Sequence, residues 1–217
     1  LPVLDVNRVS FIIDGFNLYH SARQAQADLG GAGTKWLDLK GLCEGYLYLF
    51  GRDAVLTDVF YFSALAHHLE ADKPDITARH RAFVECLEAS GVRVVLNRFK
   101  RKSVWCPRCG ERFNRHEEKE TDVALAAKLF EVFATDACDT AVLMTGDTDL
   151  APAIRTVEVL FPAKRVAFAF PHGRKNKELK QLAPDSFEIS GSQYVKHQLP
   201  DPYPLPNGRQ VRKPATW

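Results

Sequence analysis

Five short apolar runs constrain this chain more than any other feature: "VSFIID" (9–14), "VLTDVFYFSA" (55–64), "VRVVLN" (92–97), "TAVLMT" (140–145) and "RVAFAF" (165–170). Each has the length and the β-branched or aromatic content of a buried strand. Helical patterns lie between them, at about 16–28, 38–50, 75–90, 119–134 and 149–160, and a short pair at about 176–184 and 187–190 follows. Asp38 is placed to cap the second helix, and Gly91 to end the third. Neighbouring parallel strands need a long crossover, which a helix supplies, so the alternation predicts an α/β fold on a mainly parallel sheet.

Three stretches break the pattern. Residues 29–35, "LGGAGTK", read as a loop; 99–118, "FKRKSVWCPRCGERFNRHEE", as a basic insertion; and the proline-rich end as a tail trailing over the surface. The expected organisation is one domain over 1–191, carrying the insertion, and a tail over 192–217. With 46% hydrophobic residues the chain can bury a sizeable core. It has no apolar run of the roughly 18 to 20 residues that a membrane span needs and no signal-type start, so a cytoplasmic protein with no membrane partner is expected. Cys43, Cys86 and Cys138 sit among apolar neighbours and read as small core residues.

The acids carry the chemistry. In open parallel sheets, ligands collect at the carboxyl ends of the strands. Asp14 closes the first strand in "FIIDGFNLY", Asp147 follows the fourth in "LMTGDTD", and Asp122 opens a helix in "EKETDVALAAKL", facing the same edge. Asp149 lies two residues beyond Asp147, and Asn17 one helical turn after Asp14. Converging carboxylates repel one another unless a cation neutralises them, and hard oxygen ligands suit Mg²⁺ or Mn²⁺. The plainer reading makes Asp14 a turn former, Asp149, Asp122 or Thr121 helix caps, and Asn17 a local backbone partner. Capping does not explain acids after two strands and at a third helix start together.

"FIIDGFNLYHSAR", "EEKETDVALAAKLFE" and "AVLMTGDTDLAPAIRTV" together resemble the NYN domain, a branch of the PIN-like ribonucleases that includes the LabA-like proteins. The likeness runs from about Val9 to Ser190. It implies a Rossmann-like, PIN-like three-layer sandwich with a mainly parallel sheet of five to six strands, and a metal-dependent centre that hydrolyses RNA to 5′-phosphate and 3′-hydroxyl products. By position it implies catalytic roles for Asp14, Asn17, Asp122, Asp147 and Asp149, metal-directed roles for the four acids, and phosphate-side roles for Lys119 and Thr145. Thr148 stands where the family more often has Ser.

In the insertion, "CPRCG" has the form of a zinc-knuckle turn with Cys106 and Cys109 as two thiolate ligands. His116 is the nearest third candidate, and Cys43, His20 or a residue from a second chain could be the fourth, which leaves a homo-oligomer open. An unmetallated or redox pair is the alternative. From Arg98 to Arg115 there are seven Lys or Arg and one acid, Glu111. Arg98, Lys100, Arg101, Lys102, Arg108 and Arg112 would meet RNA phosphates, with Trp105, Phe99 and Phe113 available to stack on unpaired bases. The bland alternative is a solvated loop. A second basic run, His172 to Lys180, follows the fifth strand.

The expected activity is therefore Mg²⁺- or Mn²⁺-dependent hydrolysis of RNA, with zinc as a structural addition. A non-catalytic RNA-binding adaptor is the alternative. A phosphatase of the haloacid-dehalogenase type is disfavoured because Phe16 stands where a second acid is required, and dinucleotide binding because "DGFNLYH" is no glycine-rich phosphate turn.

Overall fold

β1 (Arg8–Asp14) is buried along all but its first residue. β2 (Val55–Ala64), β5 (Thr140–Met144) and β6 (Arg165–Phe170) are apolar in the same way. Runs of this kind need cover on both faces. The computed structural model describes residues 6–217, except for the side chains of Arg115, Glu117, Glu118 and Lys119; residues 1–5 of the expected domain lie outside them.

With β3 (Arg93–Trp105), β4 (Arg112–Lys119) and β7 (Phe187–Glu188), these strands form a seven-stranded sheet in the order β4-β3-β2-β1-β5-β6-β7. Every pairing is parallel except β3 with β4. Alternate side chains feed two cores. Phe11, Ile13, Tyr61 and Met144 pack under α1 (Gly15–Asp28), α2 (Leu39–Glu44) and α3 (Ile76–Ala89). Ile12, Phe60, Phe62 and Phe168 pack under α4 (Thr121–Ala134), α5 (Ala151–Leu160) and α6 (Lys177–Leu182). The expected three layers are present. Chain order reverses beside β1, with β2 on one flank and β5 on the other, so the crevice of this sheet opens above the carboxyl ends of β1 and β5.

Two expectations need correction. The basic insertion at 99–118, for which no strand is expected, is an antiparallel ribbon and not the solvated loop of the bland alternative. β3 pairs with β2 only over Arg93–Asn97, then runs on and pairs with β4 from Arg98↔Lys119 to Trp105↔Arg112. This strand is hard to read in sequence because its outward positions are cations, the residues that protect exposed strands from pairing with other chains. The sheet therefore has seven strands where five to six are expected. The end of the chain does not trail over the surface either. After α7 (Gly191–Lys196), Leu199, Leu205 and Val211 are buried. β8 (Tyr203–Pro204) pairs with β9 (Gln210–Val211), and the Trp217 ring packs 5.0 Å from Phe83 and 6.0 Å from Trp36.

At the amino edge of the sheet, acids and bases are matched. Arg8 donates from Nε to Asp139 at 2.9 Å and from Nη2 to Asp136 at 2.8 Å, and Lys164 reaches the same two carboxylates at 3.0 and 2.5 Å. The Arg8 hydrogen bonds hold the Asp139 carboxyl well below the usual range. Among the described residues no helix is long and apolar enough to cross a membrane.

Candidate active site

Asp14 ends β1 and caps α1. Its Oδ1 accepts from the backbone N–H groups of Phe16 and Asn17, both at 3.0 Å, which satisfies donors that a helix start leaves unpaired. Its Oδ2 accepts from the Thr145 hydroxyl, also at 3.0 Å. Thr145 lies just past β5, and its oxygen accepts in turn from the Asp147 N–H at 3.2 Å. Asn17 reaches across as well, with Oδ1 accepting from the Gly146 N–H at 3.2 Å. The turns after β1 and β5 are thus tied together by side chains. Asp147 Oδ1 accepts from the Asp149 N–H at 3.0 Å and so caps the short 3-10 turn Thr148–Leu150.

The caps fall on other acids than those expected: Asp14, read as a turn former, caps α1, and Asp147 caps the 3-10 turn. Asp149 and Asp122 are not helix N-caps; Asp122 stands in the first turn of α4. Thr121 Oγ1 accepts from Asn97 at 2.8 Å, which joins the start of α4 to the end of the parallel part of β3.

Electrostatics shows how the acids are grouped. Burial raises the Asp14 carboxyl; the hydrogen bonds from Asn17, Thr145 and Phe16 pull it back, and the Asp147 charge pushes it up again. Asp122 reaches solvent, yet the surrounding protein strips enough water from its carboxyl to raise it, and Asp147, Asp14 and Asp149 add to the rise. Four acids from three segments share one field, and among the described residues no cation forms an ion pair with any of them. They do not share a ready coordination sphere: among the described residues no three His, Cys, Asp or Glu groups are posed around a common point. Their donor chemistry is that of a hard divalent cation.

Gly146 sits under the loop that follows β6. A Cβ at this position would collide with the Arg174 carbonyl oxygen, so the turn carrying Asp147 and the cationic loop touch through a residue without a side chain.

The ribbon rises from the same edge, because β3 runs parallel to β1 and continues past it. Eight paired rungs make it roughly 24 Å long. At its base, Arg98 and Lys100 hold Glu120 at 3.1 and 3.2 Å, two residues before Asp122. Trp105, Arg108 and Arg112 stand at the far end, and Arg101 pairs across from His116 between the two. Lys102 is exposed in mid-ribbon. The side chain of Lys119 lies outside the described residues. The structure therefore brings Arg98 and Lys100 toward the acids and leaves Trp105, Arg108 and Arg112 remote.

At the tip, the N–H groups of Cys109 and Arg108 face the Cys106 sulfur and lower its pKa, which is how a metal-binding cysteine turn prepares a thiolate. His116 is not beside it. Four rungs separate it from the turn, about 14 Å along the strand, and its ring stacks on His68 instead, at 4.3 Å.

A cavity of about 340 Å³ that no sequence pattern signals is lined in part by Gly15 and Phe16, the two residues that follow Asp14. Its walls come from α1, β2, α3, β3 and the Trp217 ring. No motif spacing links such positions.

A parallel sheet with a switch-point crevice edged by carboxylates is the architecture of the PIN-like nuclease class. The sequence model of the NYN domain matches residues 8–190, and the chain belongs to that family. It is 26% identical over 246 residues to 6-hydroxy-3-succinoylpyridine 3-monooxygenase HspA of Pseudomonas putida, covering 97% of this chain and 75% of that protein. In fold it is similar to a crystal structure of a protein of unknown function, VPA0982, from Vibrio parahaemolyticus, with a TM-score of 0.58 at 15% identity, covering 88% of this chain and 97% of that one.

Proposed function

We propose that the chain is a ribonuclease of the LabA-like branch that needs Mg²⁺ or Mn²⁺. The observation that carries this reading is the gathering of four acids, Asp14, Asp122, Asp147 and Asp149, at the switch point, where burial and then the neighbouring charges raise the Asp14 and Asp122 carboxyls. The first three, with help from Asp149, would hold the ion; when bound, it supplies a lowered pKa for water and charge neutralisation at the phosphoryl oxygens. Thr145 and Asn17 keep the two acidic turns in register. Arg98 and Lys100 at the base of the ribbon hold the phosphate backbone on one side, and the run from Arg174 to Lys180 on the other. Five free cysteines fit a reducing compartment, and we place the protein in the cytoplasm.

A pool of structured RNAs incubated with Mn²⁺ should be cut to products with 5′-phosphate and 3′-hydroxyl ends, and EDTA should stop the reaction. Equal turnover in EDTA would sink the reading. The same pool distinguishes a non-catalytic RNA-binding protein, which would retain RNA without cutting it.

The ribbon tip is proposed as a zinc knuckle with Cys106 and Cys109 as two of its ligands, the rest coming from a second copy of the chain. Protein purified without chelators should carry about half a zinc per chain and run as a dimer that Cys109→Ser dissolves. A zinc-free monomer would rule this out.

A second reading is favoured by the aromatic cavity. The Pseudomonas relative is named for oxygenation of a substituted pyridine, a ring that such a cavity suits. Supplying that compound with oxygen and a two-electron donor tests this reading; no oxygen uptake above background would dismiss it.

A further inference from the structure

The cavity at the start of α1 combines aromatic rings with cations. Phe16, Tyr19, Tyr61, Phe83, Phe99 and Trp217 supply ring faces and edges, and Phe16 meets Phe99 edge-on at 5.5 Å. Arg23, Lys35, Lys73 and Arg79 supply cations, and among the described residues no aspartate or glutamate lines the space. The cations are only partly matched. Arg79 lies 3.4 Å from the exposed Asp75 carboxylate and donates to Thr216 Oγ1. Lys35 donates to the Thr216 carbonyl at 2.9 Å, and the Arg23 guanidinium lies 6.0 Å from the Tyr19 ring. Burial lowers the Lys35 ammonium, and Arg23, Arg79 and Lys213 lower it further, so these like charges are close enough to repel. His80 lies deeper, 3.4 Å from the Ser63 hydroxyl, and burial pushes it down to about 4, which leaves it neutral at pH 7.

Clustered cations without acids call for an anion, just as clustered acids call for a cation. Aromatic walls call for a flat ring, with stacking worth about 1 to 3 kcal/mol per base. A nucleotide unites the two.

We propose that this cavity is a nucleotide-binding subsite in which Tyr19, Phe99 and Trp217 take the base while Arg23, Lys73 and Arg79 take its phosphate. The choice of a nucleotide rests on the ribonuclease reading and deepens it. Gly15 and Phe16, which line the cavity, directly follow Asp14, so the subsite would hold the nucleotide next to the bond that is cut.

The test is binding, kept apart from cleavage by working in EDTA. Adenosine 5′-monophosphate titrated into the whole chain should bind one equivalent, and inorganic phosphate should bind at least tenfold more weakly. Arg23→Ala with Lys73→Ala removes two exposed cations and should weaken the nucleotide at least tenfold; Tyr19→Ala, also exposed, should do the same. A short oligoribonucleotide that displaces the mononucleotide identifies the subsite as part of the RNA path, and one that leaves it bound identifies free nucleotide as the ligand. No nucleotide binding, or undiminished binding to both variants, overturns the proposal. Binding of 6-hydroxy-3-succinoylpyridine in place of the nucleotide overturns it in favour of a small heteroaromatic acid. RNA cleavage is not measured, so failure of the nuclease reading would not be mistaken for failure of the subsite.

Discussion

Aspartates stand at both edges of one sheet, and they are treated in opposite ways. At the amino edge, Asp136 and Asp139 meet Arg8 and Lys164, and their carboxyls are lowered. At the carboxyl edge, Asp14 and Asp122 are desolvated beside other acids, and theirs are raised. The first group makes the chain more stable as it stands. The second makes it less stable, a cost that a bound cation would offset. Acid count alone would not separate the two groups; the company each acid keeps does.

The sharpest way to break this comparison is catalytic. Asp147→Asn should reduce RNA cleavage by about a thousandfold, the scale of several kcal/mol that a bound metal contributes. Asp139→Asn should leave the rate within about twofold, because its charge serves the other edge. Rates at saturating RNA and Mn²⁺ measure both, and similar losses in the two variants would erase the distinction.

Metal binding should show the same contrast in stability. Mn²⁺ at about 100 times its dissociation constant should stabilise the wild-type chain by about 2.7 kcal/mol in a thermal melt. Asp139→Asn should keep that gain, and Asp14→Asn should lose most of it.

The smallest effect concerns the metal-free protein. Asp139→Asn should lower the melting temperature by about 3 °C and Asp14→Asn should raise it by a similar amount, each near 1 kcal/mol at this chain length, with the first trimmed by solvent screening. The pH dependence follows from the signs. The lowered Asp139 carboxyl contributes stability that is present above its ordinary value of 3.8 and is lost as pH falls through its folded value. The raised Asp14 carboxyl costs stability as pH rises from 3.8 through its folded value. Mild acidification from neutrality should therefore help the wild-type chain, and help Asp14→Asn less. Urea midpoints from pH 7 down to pH 3 would read both slopes.

Much of this was legible in the chain, for a physical reason. Buried parallel strands announce themselves by apolar runs, and β2 and β6 fall on the boundaries expected. Acids at strand ends can be placed once the strands are known. The ribbon was not legible, because Lys100, Arg101 and Lys102 face solvent and give no apolar alternation. The end of the chain was not, because prolines suggest exposure while Leu199, Leu205, Val211 and Trp217 close the core. The cavity was least legible: Tyr19, Tyr61, Arg79, Phe99 and Trp217 are brought together by topology, and no local spacing records it.

The glycine in "TGDTD" reads as punctuation between a strand and a turn. Pressed against the Arg174 backbone, it acts as a gauge that fixes how far the acidic turn can stand from the loop above it. The two pieces are therefore not separable modules. A designer who grafted the five-residue motif onto another parallel sheet would transplant the carboxylates without their spacing, unless the loop that follows β6 travelled with them.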